Sequence, residues 1–307
     1  MKYLLGILLL SFTCCHPAQT QSIEKTNFEL KSASGVSCVW VAPKTGTVKG
    51  AVVLIAGFGE TAEGALTETL IPAALCEREI MAVVVGFGAR MYADSLVTAA
   101  LDEVTAAVQE RYQLECACIA LGGFSIGGAI ALRYAEHCHE QPERHPLLPK
   151  AVFAIDAPVD LIELWRYFER EITRNFDPDG VAEAKYVSEL LKKEIGTPAE
   201  NRALYEALTP YCHSCPAPGN ERFLQNTAVR VYHDIDLDWY LKHKKRSAYD
   251  CNFLNTSALL AQLLQLGNEE ATFVKGKTGY RSNGTRNPHA WSIVDEQELA
   301  AWIDQMF

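Results

Sequence analysis

Positive charge is in short supply: 28 Lys and Arg stand against 38 Asp and Glu, a formal net charge of -10. An acidic chain repels phosphate backbones, which argues against nucleic acid as a partner. Long apolar runs are lacking too. The run Tyr3 to Leu10 is too short for a bilayer, which takes about 20 apolar residues, and no later stretch reaches that length. No transmembrane helix is therefore expected in the mature chain. Internal repeats and low-complexity tracts are not evident. Cys212-His-Ser-Cys215 has a metal-like spacing but no second pair beside it. A local disulfide or plain burial is expected there, and no metal. What remains is ample: 307 residues, 49% of them hydrophobic, enough for one large domain with an insertion.

The first 20 or so residues read as an export signal. Lys2 gives a positive start, the apolar run follows, and the run ends at Cys14 and Cys15. This resembles a bacterial lipoprotein signal, in which the Cys after the cleavage point receives lipid. That pattern usually has Leu three residues before the Cys; here Ser11 and Phe12 stand there. The expectation is an exported bacterial protein of the periplasm, outer membrane or cell surface, lipid-anchored at Cys14 or Cys15. Pro17 to Lys25 would be a tether and 21–307 the folded domain.

Asn27 to Lys31 and Val36 to Ala42 suggest an antiparallel hairpin. Ala51 to Ala56 and Ile80 to Gly86 are continuous apolar runs, as in strands buried on both faces. Further strands are expected at Cys116 to Leu121, Ala151 to Ile155, Ala228 to Tyr232 and Ala271 to Lys275. Helices are expected at Ala62 to Glu77, Asp94 to Tyr112, Gly127 to Glu136, Ala258 to Leu266 and from Asp295 onward. Between about 160 and 226 the alternation stops, and charged and aromatic residues dominate. Strand–helix alternation predicts an α/β fold, a doubly wound and mostly parallel sheet, with this stretch inserted as a helical cap. Ligands then bind beyond the carboxyl ends of the strands.

The sharpest motif is Gly123-Phe-Ser-Ile-Gly127. It is G-x-S-x-G between an apolar strand and a helix-forming stretch, the setting of a nucleophile elbow. Side chains two residues either side of Ser125 would meet the tightly turning backbone, so both positions must be small. The helix behind Ser125 points its amides at any oxyanion formed there.

With this motif the chain resembles the α/β-hydrolase superfamily over residues 30 to 307. The resemblance implies a Ser–acid–His triad in that chain order. It makes Ser125 the nucleophile and His289, after the last strand, the histidine. It places the acid after the seventh strand, where Asp234, Asp236 and Asp238 alternate. By likeness to bacterial relatives that read roughly E-P-D-x-x-W there, the acid is Asp236, with Asp238 second. The loop Ala56-Gly-Phe-Gly-Glu60 matches the family's oxyanion loop, with Phe58 and Ile126 supplying main-chain amides. Ala56 replaces the usual His, removing a side chain that often braces this loop. The activity so implied is hydrolysis of a carboxylic ester through an acyl-enzyme, with a small-molecule substrate and no cofactor. A peptidase or amidase of the same fold, and a binding protein that keeps the pocket, are the alternatives.

Overall fold

The computed structural model describes residues 23–44 and 46–307. The signal segment, Cys14 and Cys15, and most of the tether lie outside the described residues.

Eight strands form one sheet: β1 (Ile23–Asn27), β2 (Ser37–Pro43), β3 (Gly50–Ile55), β4 (Ile80–Gly86), β5 (Ile119–Phe124), β6 (Ala151–Ile155), β7 (Ala228–His233) and β8 (Ala271–Lys275). Their order is β1-β2-β4-β3-β5-β6-β7-β8. β2 pairs antiparallel with β1 and β4, and the remaining neighbours are parallel. This is the α/β fold read from the strand–helix alternation.

The central strands are apolar throughout because helices cover both faces. Val53 and Ile55 of β3 pack with Leu101 and Val104 of α3 (Ser95–Tyr112), Ile130 of α4 (Ile126–Glu140) and Leu259 of a helix at Asn252–Gln265. Val52 and Leu54 point the other way. They pack with Ala65 of α1 (Ala62–Glu68), Leu75 of α2 (Ile71–Cys76) and Leu299 of the last helix, Glu296–Met306.

The cap is α5 (Leu161–Arg174), α6 (Pro178–Ile195) and α7 (Arg202–Leu208), between β6 and β7. It has its own apolar cluster, in which Phe168, Val187 and Tyr205 meet Met91 and Ile126. Its other attachment is ionic. Buried Glu171 pairs with Arg174 and Arg246, Asp177 with Lys244, and Asp250 with Arg170 and Arg174. Apart from Glu171–Arg174, which lies within α5, these pairs join the cap to the segment after β7. That segment holds a short helical turn α8 (Leu237–Trp239), and α9 (Asn252–Gln265) and α10 (Glu296–Met306) follow.

Several boundaries differ from the sequence expectation. The first strand ends at Asn27, opposite Val39, and does not begin there. The single helix expected over 62–77 is two, because Thr69 is extended and Pro72 sits in the first turn of α2. Cys116–Cys118 is a 3-10 turn leading into β5 and not its first residues. The helix expected from Ala258 starts six residues earlier, at Asn252. Asp295 caps α10 by accepting the Glu298 amide, and the Glu298 carboxylate turns to Arg230 and Tyr232. Cys212 and Cys215 form a disulfide. No helix among the described residues is long and apolar enough to cross a membrane.

Candidate active site

Sheet register assembles most of the site. Phe124 of β5 lies opposite Ile155 of β6, and Ile155 opposite Tyr232 of β7. The next residue on each strand is therefore abreast of its neighbours: Ser125, Asp156 and His233. Main-chain bonds extend the ladder by this row, with the Ser125 amide donating to Ile155 O and the Asp156 amide to Tyr232 O.

Ser125 is held at φ 54° and ψ -129°, a strained turn that ends β5 and starts α4. The flanking glycines are required by contact. A Cβ on Gly123 would lie 2.5 Å from the Gly127 main chain, and one on Gly127 2.3 Å from Ile55 O. Those distances are impossible for a side chain, which is the physical content of G-x-S-x-G at this place.

His289 approaches from the loop after β8. Its Nε2 is 3.0 Å from Ser125 Oγ, and its Nδ1 is 2.5 Å from Asp156 Oδ2. Its ring is seated against Phe124, 4.6 Å between centroids, and its amide donates to Asn287 Oδ1. Burial pushes the Asp156 carboxyl up, but the His289 charge and hydrogen bonds from His233 and His289 outweigh it. The carboxyl is held well below the usual carboxylate range.

The acid partner of His289 thus differs from the one expected. Asp236 does not face the histidine. After β7 the chain turns into α8, and Asp236 caps that turn by accepting the Trp239 amide at 2.9 Å. Its other oxygen takes Arg286 at 2.7 Å. Arg286 also pairs with Asp234, which accepts the Gly279 amide. Asp238 is exposed and 3.7 Å from Lys242. The alternation of the three aspartates loses its meaning because the strand stops at His233.

The two expected oxyanion donors do line the same cavity as Ser125 and His289. Neither the Phe58 nor the Ile126 amide donates to a protein group among the described residues. The brace that a His would give the loop comes instead from Glu60. Its Oε2 accepts the Gly57 amide at 2.9 Å and the Trp291 indole at 3.2 Å. The cavity is about 300 Å³. Phe58, Leu164, Phe168 and Val187 supply an apolar side, and Lys244, Arg246, Asp250 and Arg281 a charged one. Ser125 and His289, predicted from sequence, come together; Asp156 and Glu60 were missed. Asp156 did leave a signal: it directly follows an all-apolar strand, as Ser125 does, and both take positive φ.

The sequence matches no family model and, at a significant level, no curated protein. The structure is similar to an esterase of Pyrobaculum calidifontis, with TM-score 0.58 and 14% identity over 93% of this chain and 86% of that one. It is similar to fungal esterases from Rhizomucor miehei, with TM-score 0.60 and 15% identity over 93% and 82% of the two chains. A hormone-sensitive lipase from a metagenome library gives TM-score 0.58 and 12% identity over 94% and 87%. These matches define the class of architecture: this chain has the α/β-hydrolase fold, over essentially its whole described length.

Proposed function

We propose that this protein hydrolyses carboxylic esters through an acyl-enzyme on Ser125. The reading is carried by the hydrogen-bonded chain Ser125 Oγ, His289, Asp156. Esterases and a lipase among the structural neighbours support it.

In this mechanism Ser125 Oγ attacks the ester carbonyl and passes its proton to His289 Nε2. Asp156 orients the ring and stabilises the imidazolium. The oxyanion receives the Phe58 and Ile126 amides at the positive end of α4. His289 returns the proton to the departing alcohol, and the acyl-enzyme forms. Water, deprotonated by the same histidine, then releases the acid. No metal or organic cofactor takes part. A cavity of about 300 Å³ is at the small end for ligand sites, so short acyl esters are the expected substrates.

A fluorophosphonate probe should label Ser125, and a series of p-nitrophenyl esters from acetate upward should be cleaved faster than matched peptide anilides. Absence of labelling, or faster peptide cleavage, would remove the esterase reading.

We also propose that the chain is exported and lipid-anchored through Cys14 or Cys15. Acyl chains contribute about 0.8 kcal/mol per buried CH₂, so several together anchor stably. The full chain made in a Gram-negative host should enter the detergent phase of a cloud-point separation, and the double Cys14→Ser, Cys15→Ser chain should not. Recovery of the unaltered chain in the aqueous phase contradicts the anchor.

A further inference from the structure

We propose that His233 is a positioning residue for this reaction: it fixes the Asp156 carboxylate from the side opposite His289. The inference rests on the reading of Ser125, His289 and Asp156 given above.

The observation is a buried polar ring that the hydrolytic chain does not need for itself. His233 Nδ1 is 2.7 Å from Asp156 Oδ1. Its Nε2 is 2.7 Å from Thr256 Oγ1, and Thr256 Oγ1 is 2.7 Å from Asn252 O. Asn252 Nδ2 closes the ring by donating to Asp156 O at 2.8 Å. His233 and Thr256 are 0% exposed. Polar groups buried so deeply are costly unless every one is satisfied, and here they are. The His233 ring is also stacked on Phe273, 5.2 Å between centroids. Its plane and both of its nitrogens are therefore fixed.

The carboxylate has no other support. Among the described residues no main-chain amide reaches either Asp156 oxygen; His289 takes Oδ2 and His233 takes Oδ1. Without His233 the carboxylate could turn about its last bond and present either oxygen to His289. With it, a single orientation is held. The setting of the ring follows from the same contacts. Asp156 only accepts, so His233 Nδ1 carries a proton, while Thr256 Oγ1, whose hydroxyl donates to Asn252 O, holds the Nε2 edge of the ring. Thr256 therefore fixes His233, His233 fixes Asp156, and Asp156 fixes His289. The other ionisable groups facing Asp156 are Tyr240 and Cys251 of the segment after β7. Burial pushes the Cys251 thiol up to about 12 and the Tyr240 phenol well above its ordinary value, so both stay neutral.

The test is kinetic and uses the full chain. His233→Leu keeps the bulk and removes the donor, and His233→Asn restores a donor near the Nδ1 position. Thr256→Val removes only the hydroxyl that holds the Nε2 edge of the ring. In His233→Leu, kcat for p-nitrophenyl acetate should fall roughly 10- to 100-fold, as expected for a slightly misplaced catalytic group. KM should hardly change, since His233 does not line the cavity. The acid limb of kcat/KM should move to higher pH, because a carboxylate with one donor fewer holds the imidazolium proton of His289 more firmly. His233→Asn should recover most of kcat, and Thr256→Val should show the same two changes in weaker form. Wild-type kcat and an unmoved acid limb in folded His233→Leu overturn the proposal. If that variant does not fold, the same result in Thr256→Val overturns it. Ser125→Ala, run alongside, separates the two levels. If it is inactive while His233→Leu and Thr256→Val are unaffected, only this inference fails; if it is active, the reading beneath it fails.

Discussion

Asp156→Asn is expected to lower ester turnover by roughly 10⁴-fold while the fold persists. The carboxamide would still fill the space between His233 and His289, so packing is preserved. What changes is the proton on His289. An Asn nitrogen facing Nδ1 cannot accept, so the imidazole proton moves to Nε2, where it faces Ser125 Oγ, 3.0 Å away. The ring can then no longer take the serine proton. Asp236→Asn should leave turnover within about threefold, since it weakens one half-exposed pair with Arg286, and surface changes of this kind rarely exceed about 0.5 kcal/mol in stability. Steady-state kinetics of the two variants decide between the acids. If Asp236→Asn is the crippled one, His289 is oriented from β7 and not from β6. The carboxyl of Asp156 is held well below the usual range, so mild acidification should leave it ionised.

Ser125→Ala is expected to cost roughly 10³- to 10⁶-fold in turnover and to abolish fluorophosphonate labelling. The variant should fold, because only a half-buried hydroxyl is removed. The strained φ of 54° is paid equally by alanine and serine, and the glycines that permit the turn remain. Any residual rate comes from the amides of Phe58 and Ile126 acting on bound ester. Comparable turnover in the variant, measured after excluding contaminating esterase with the same probe, would assign the chemistry elsewhere.

The sheet was legible because its central strands, such as Val52 to Ile55 and Met81 to Val85, are apolar on both faces. Ser125 was legible because its glycines are dictated by backbone contact, so the motif is local. His289 was legible by place, the histidine between the last strand and the last helix. The acid was not. Its assignment to Asp236 carried over a pattern from relatives and assumed that β7 ran on past His233. Which residues end up abreast across a sheet depends on register between strands distant in sequence. Asp156 and His233 are 77 residues apart and meet only through Ile155 opposite Tyr232. The brace from Glu60 was hidden for a similar reason: one of its two donors, Trp291, is 231 residues away.

The row Ser125, Asp156, His233 has a consequence for how the site responds to heat and denaturant. The amides of Ser125 and Asp156 are bonded to Ile155 O and Tyr232 O, so they belong to the sheet's own ladder. Their hydrogen exchange is governed by the opening of the central strands, the most stable unit of such a fold. His289 belongs to a different unit. It lies on the loop between β8 and α10, held by Asn287, by the Phe124 ring, by the two side chains it contacts and by its buried neighbours Ala290 and Trp291. Ser125 and Asp156 therefore keep their spacing for as long as these strands stay paired.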